Sequence, residues 1–182
     1  LNSLQIPKSI KIGVMVNVFE LISHPLGITK ATKLMFKNAK ESKISFVRLA
    51  SHFEEFPQAA KVCKILQNMG YFVAINLMQI SEQSEQKIVS VTKLAKKINP
   101  DILYFADSLG GMDPSQISNL IKIFRKNWSG SLGIHTHNNL GKAVDNSIAA
   151  LDFGVTWLDS TVTGMGRGAG NLKTELLIIK LL

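Results

Sequence analysis

The stretch Leu132-Gly133-Ile134-His135-Thr136-His137-Asn138-Asn139 decides how the rest of the chain is read. It is a strand-sized apolar run that ends in a histidine pair and passes through Asn138, Asn139 and Gly141 toward a helical pattern. Side chains two apart on a strand point to the same side, so His135 and His137 project together, close enough to share one divalent cation. Capping of the strand end by hydrogen bonds to loop carbonyls is the structural alternative for the same spacing.

Working outward, further apolar, β-branched runs occur at residues 10–16, 44–49, 72–77, 102–106 and 155–158. Between them lie segments with apolar residues three or four apart. Ala31, Leu34, Met35 and Asn38 form one such set, and Ile88, Val91, Leu94, Ala95 and Ile98 another. These are helices with one face on a sheet. The interval between strand starts is about thirty residues, the size of a βα unit, which implies parallel strands covered by helices.

Two architectures accommodate such a repeat, a doubly wound sheet and a (β/α)8 TIM barrel. Almost every run ends in residues capable of chemistry: Asn17; Arg48, Ser51 and His52; Asn76; Asp107 and Ser108; His135 and His137; Asp159 and Thr161. A doubly wound sheet needs such residues only beside its switch point, whereas a barrel gathers all strand ends in one pocket. The barrel is therefore expected, with residues 1–182 as one partial domain. Such barrels run to about 250 residues, and six units are found here. The expectation is that the chain covers about strands 3 to 8 with the first two βα units absent, supplied by a longer polypeptide or by a partner chain.

Composition narrows the function. The 182 residues are 46% hydrophobic and 19% charged, with a formal charge of +8. Lys30, Lys33, Lys37, Lys40 and Lys43 recur at helical spacing, as do Lys93, Lys96 and Lys97, the pattern of wet helix faces without interleaved aromatics. Nucleic acid is therefore not an expected partner, while a positive field suits a small anionic substrate. The single cysteine, Cys63, sits among Val62, Ile65 and Leu66 as a buried thiol, which fits a reducing cytoplasm. No secretory pattern and no apolar run of the eighteen or so residues of a membrane span is seen.

Thr163-Gly164-Met165-Gly166-Arg167-Gly168-Ala169-Gly170-Asn171 follows the last strand, and its glycines let backbone approach a ligand. A phosphate site and a plain surface turn are the alternatives for this loop. Arg167 can swing over a pocket to seat a carboxylate. Asn171 suits the N-cap of the last helix, and Glu175 suits its dipole. Asp107 is expected to face the barrel mouth, where it orients a metal ligand or bonds the amides of its own loop. Ser108 and Asn76 are candidates for substrate contact.

The runs His-Thr-His-Asn-Asn-Leu-Gly (135–141) and Gly-Met-Gly-Arg-Gly-Ala-Gly-Asn (164–171) resemble the metal-dependent pyruvate-aldolase and Claisen-enzyme superfamily of TIM barrels, which includes the HMG-CoA lyase-like proteins. Residues 133–175 look most like 4-hydroxy-2-oxovalerate aldolases. Weaker similarity, including residues 47–51 and 107–110, extends over the whole chain. The resemblance implies a divalent ion, manganese before magnesium, cobalt or zinc, held by His135 and His137 with an aspartate from the first strand. In some members an asparagine matching Asn171 also lies near the metal. The family's Arg-Asp-Gly motif is absent from these 182 residues. This agrees with the strand count and implies a preceding segment of roughly seventy to eighty residues.

The implied activity is cleavage or formation of a 4-hydroxy-2-oxo acid, giving pyruvate and an aldehyde, with the main base and arginine in that preceding segment and low activity without it. Claisen condensation of an acyl-CoA with a 2-oxo acid is the alternative, although the histidine pair is followed here by Asn-Asn rather than Asn-Asp. The loop also lacks the catalytic cysteine of HMG-CoA lyases. A non-catalytic scaffold subunit and a homo-oligomer are further possibilities that the sequence leaves open.

Overall fold

The computed structural model describes residues 5–7 and 9–182. Its six strands are β1 (Gly13–Asn17), β2 (Phe46–Ser51), β3 (Phe72–Leu77), β4 (Ile102–Asp107), β5 (Ser131–Thr136) and β6 (Trp157–Leu158). The helices are α1 (Val18–Ile22), α2 (Gly27–Met35), α3 (Phe56–Asn68), α4 (Glu85–Ile98), α5 (Pro114–Arg125), α6 (Ala143–Asp152) and α7 (Thr174–Leu181). Strand order in the parallel sheet follows chain order without reversal. A doubly wound sheet must reverse direction at its switch point. Monotonic order with right-handed crossovers instead lays every helix on one face, as in a (β/α)8 barrel.

Packing divides the chain after Asn76 into two compact units. In the first, β1 pairs with β2 in the register Val14↔Val47 and Val16↔Leu49. Helix α3 starts with a proline in its first turn, where a missing N–H costs nothing, and buries Phe56, Ala59, Val62, Cys63 and Leu66. The Cys63 thiol is thus a core group. Helix α2 buries Ala31 and Thr32, while Leu34 and Met35 are exposed and Asn38 lies beyond its end. The apolar spacing of Ala31, Leu34, Met35 and Asn38 therefore does not mark the packed face. Phe36 leaves the helix in an extended conformation and is buried edge-on to Tyr71, whose hydroxyl donates to the Lys37 carbonyl at 2.8 Å.

In the second unit, the Ser84 hydroxyl caps α4, which buries Ile88, Val91, Thr92 and Ala95 and leaves Lys93, Lys96 and Lys97 in solvent. A reciprocal cap between Asp113 and Gln116 starts α5. Strand β4 is buried at every position, as expected of a strand covered on both faces. Its Phe105 packs on Phe124 of α5, with ring centroids 5.3 Å apart. On β5, the Thr136 hydroxyl meets that of Ser147 on α6 at 3.2 Å. These contacts fix the helix-facing side of β4 and β5. Tyr104, Ala106, Gly133 and His135 consequently share the opposite side, in the register Tyr104↔Gly133 and Ala106↔His135.

A Cβ on Gly133 would fall 2.4 Å from the Tyr104 ring, so glycine here makes room for a buried aromatic directly beneath the histidine pair. Gly133→Ala is expected to lower stability by roughly 1–3 kcal/mol, the usual cost of overpacking. In urea unfolding its effect should be less than additive with Tyr104→Leu. Additive costs would show that the two positions do not compete for space.

Candidate metal centre

Strand β5 is held by β4 on one side and β6 on the other, so its side-chain directions are fixed up to Thr136. Beyond it, residues 136–138 pair with residues 170–172. Asn138 N–H donates to the Gly170 carbonyl at 2.9 Å, and Leu172 N–H to the Thr136 carbonyl at 3.2 Å. These two bonds flank His137 and Asn171, which form an antiparallel bridge. This is the non-hydrogen-bonded type of antiparallel pair, in which opposed side chains lie closest and on one face. The end of the glycine loop is thereby brought to the histidine pair.

The rings of His135 and His137 lie with centroids 5.1 Å apart and planes at 82°. A nitrogen ligand sits about 2.1 Å from a transition metal, which puts an imidazole centroid about 3.2 Å from it; two such ligands at about 90–109° then have centroids about 4.5–5.2 Å apart. The observed separation falls in this interval. Asn171 adds an oxygen: its Nδ2 donates to the Met165 carbonyl at 3.0 Å, while its Oδ1 is buried with no hydrogen-bond partner. A buried amide oxygen without a donor is costly unless a ligand completes it. Among the described residues no cluster of three or more His, Cys, Asp or Glu side chains surrounds a common point. The donor set is two imidazoles and an amide oxygen, and it fits a divalent ion with open positions.

Two carboxylates near the histidine pair are withdrawn from solvent, those of Asp159 and Asp107. His135 Nδ1 lies 2.9 Å from Asp159 Oδ2, just past β6. In the sequence Asp159 is only a strand-end residue; the fold gives it this partner. Asp107 is fully buried, and its carboxylate accepts from the amides of Gly111 at 3.3 Å and Met112 at 3.1 Å. It lies on the Phe105 side of β4, so the expectation that it faces the mouth is replaced by the loop-amide alternative. Gly110, at φ +60°, lies against the His137 carbonyl and the Asn139 amide, where a Cβ would come within 3.0 Å of backbone. Only glycine allows this loop to abut the metal-site backbone.

The Ser108 hydroxyl accepts from Gln79 N–H at 2.9 Å. Asn76, in the first unit, is buried with its Oδ1 unpartnered. In the same unit, Ser51 donates to the His52 carbonyl at 2.8 Å. Asn171 does not cap α7, whose N-cap is Lys173. The Asn138 side chain instead accepts from Ala143 N–H at 3.1 Å, at the start of α6. Glu175 reaches back from the first turn of α7, and both its oxygens accept from Thr163 N–H. This pins Thr163 at φ +58° as the glycine loop departs. The amides of Glu175 itself and of Thr163 hold the Glu175 carboxyl below its usual range.

Arg167 is exposed on the loop and acts on His137 electrostatically. Burial, then the neighbouring His135, then the Arg167 guanidinium push the His137 imidazole below its ordinary range, against an opposing pull from Asp107. His137 is accordingly neutral and ready to ligate around pH 7.

Residues 28–182 match the HMGL-like family. A 4-hydroxy-2-oxovalerate aldolase of Pelotomaculum thermopropionicum is 34% identical over 143 residues, which are 79% of this chain and 42% of that protein. Its namesake from Carboxydothermus hydrogenoformans is 36% identical over 132 residues, or 72% of this chain and 39% of that one. Among solved structures, the N-terminal domain of a Bacteroides vulgatus protein described as an aldolase superposes with a TM-score of 0.81 at 34% identity, over 94% of this chain and 55% of that one. The HMG-CoA lyase of Bacillus subtilis superposes at 0.80 over 98% of this chain and 64% of that one; at 16% identity the likeness is of fold alone. The chain therefore has the partial TIM-barrel fold of these proteins and spans less than half the length of the curated relatives it matches.

If Arg167 sets the charge environment of His137, Arg167→Gln in the metal-free protein should raise the His137 midpoint in an NMR pH titration toward the ordinary histidine value of 6.5, while burial keeps it from reaching that value. An unchanged midpoint would remove Arg167 from the site. The sign for stability follows from the depressed folded-state value. The contribution of neutral His137 is present above the unfolded-state value and is lost as pH falls through the folded-state one.

Proposed function

Because this chain belongs to the HMGL-like family, we propose that it forms the metal-binding portion of a divalent-metal-dependent aldolase that cleaves or forms a 4-hydroxy-2-oxo acid, with pyruvate and an aldehyde as the other side of the reaction. The observation that carries this reading is the pair of imidazoles at ligand-like separation beside the unpartnered Asn171 Oδ1. Support for the substrate class comes from the relatives named 4-hydroxy-2-oxovalerate aldolase. We propose manganese as the ion, a 2-oxo acid as the bound substrate, and the cytoplasm as the compartment. Among the described residues, no helix is long and apolar enough to cross a membrane.

In this reading His135, His137 and Asn171 hold the ion. When bound, it supplies Lewis acidity toward the 2-oxo group, where negative charge develops as the carbon–carbon bond breaks. The residues of the chain do the rest of the local work. Half-buried and within the field of the Arg167 guanidinium, His137 keeps a lone pair free instead of a proton. Arg167 is placed on a loop anchored at one end by Glu175 and at the other by the pairing of Gly170 with Asn138, from which its guanidinium reaches a substrate carboxylate. Asp107 fixes the loop at residues 107–112 against the site backbone.

Isothermal titration of the purified protein with Mn2+ tests the reading. Wild type should bind one ion, and His137→Ala should weaken binding by more than the roughly 10–100-fold typical of losing an outer-sphere partner. In a preparation that releases pyruvate from a 4-hydroxy-2-oxo acid, the same variant should abolish metal-dependent turnover. Undiminished Mn2+ affinity in His137→Ala would overturn the assignment.

A further inference from the structure

Asp159 belongs to no part of the ligand set, yet its carboxylate is the group bonded to one of the proposed ligands. Its position is set by the sheet. Gly133 and Ile134 of β5 pair with Trp157 and Leu158 of β6, and the Asp159 N–H donates to the Ile134 carbonyl at 3.1 Å. Continuing the parallel register by one residue sets Asp159 beside His135, and partners in register project to the same side. Both side chains are about four-fifths withdrawn from solvent, being 23% and 21% exposed, so the 2.9 Å contact is shielded from competing water.

We infer that Asp159 is a positioning residue: its carboxylate holds the proton on His135 Nδ1, so that the lone pair on His135 Nε2 is the one offered to the divalent ion. The inference rests on the reading of His135 as a ligand and adds to it the identity of the ligating nitrogen. A carboxylate has only acceptor sites, so the imidazole nitrogen facing it must carry the hydrogen. A neutral imidazole with one nitrogen protonated has its lone pair on the other. Rotation of the ring by 180° about χ2 would put carbon, not nitrogen, against Asp159, and the contact therefore also selects one of two ring orientations. Asp159 thus removes two sources of disorder that an unrestrained imidazole would have to lose on binding the ion. A carboxamide at this position can turn its NH2 toward Nδ1 and favour the opposite tautomer, and for this reason Asp159→Asn is the informative variant.

The test is 15N NMR of histidine-labelled, metal-free protein at a pH where imidazoles are neutral, combined with titration by Mn2+ alone. Wild-type His135 should show a protonated, pyrrole-like Nδ1 and an unprotonated, pyridine-like Nε2. Asp159→Asn should lose or invert that pattern and bind Mn2+ about 10–100-fold more weakly, with an unchanged far-ultraviolet circular dichroism spectrum. A wild-type His135 protonated on Nε2 would overturn the inference, and so would an Asp159→Asn protein whose tautomer changes without loss of Mn2+ affinity. Should the variant fail to fold, the wild-type nitrogen shifts decide the matter alone. A wild type with the Nδ1-protonated pattern but no Mn2+ binding would sink the metal reading and with it the role given to the Nε2 lone pair, whereas a wild type that binds Mn2+ with Nε2 protonated would sink only the role of Asp159.

Discussion

The geometry of the histidine pair depends on the confinement of β5 between two neighbours. A strand paired on both edges cannot rotate about its axis, and alternate residues are committed to opposite sides. Thr136 is committed to the helices by its contact with Ser147, and this forces His135 to the other side. Past the last ladder bond the strand would be free to twist, but residues 170–172 take over as its partner and carry the alternation on to His137. Two histidines in an isolated peptide of the same sequence would sample many relative orientations. Here the entropy of bringing them together has been lost on folding, and a ligand finds them already convergent.

The second consequence of that confinement is that long-range pairing, not local sequence, supplies the polar partners. Asp159 reaches His135 across 24 residues because β6 pairs with β5, and Asn171 reaches His137 because the loop returns. The loop is itself restrained at both ends, by Glu175 on Thr163 and by Gly170 on Asn138. Arg167 lies exposed between the two anchors.

Strand spacing and the convergence of His135 and His137 were legible in the sequence because both follow from period two within one strand. Five of the six expected runs overlap observed strands closely, and the last shrinks to Trp157–Leu158. The run expected from Ile10 begins pairing only at Gly13. What could not be read locally was which strand-end polar groups meet. Asp107 and Asp159 close their strands in the same way, yet one turns to its own loop amides and the other to an imidazole. That difference is set by side-chain parity and register between strands, neither of which leaves a mark in the spacing of a single segment. Asn171 shows the same limit. Its sequence context, just ahead of a helix, suits a cap, but Asn171 is bridged to His137 and lies two residues before the N-cap, Lys173.

Charge arrangement around the pair has a logic of its own. A carboxylate bonded directly to a divalent ion neutralises it most strongly, but a carboxylate placed behind an imidazole acts on the ligand's orientation instead, leaving a coordination position open. Asp159 stands behind His135 in this way, whereas Asp107 acts on His137 through its field and favours the protonated form. Burial and the Arg167 guanidinium oppose Asp107 and prevail, so His137 stays deprotonated where an exposed histidine would begin to take up a proton. In the proposed function the positive charge that discourages a proton on His137 would also attract a carboxylate substrate.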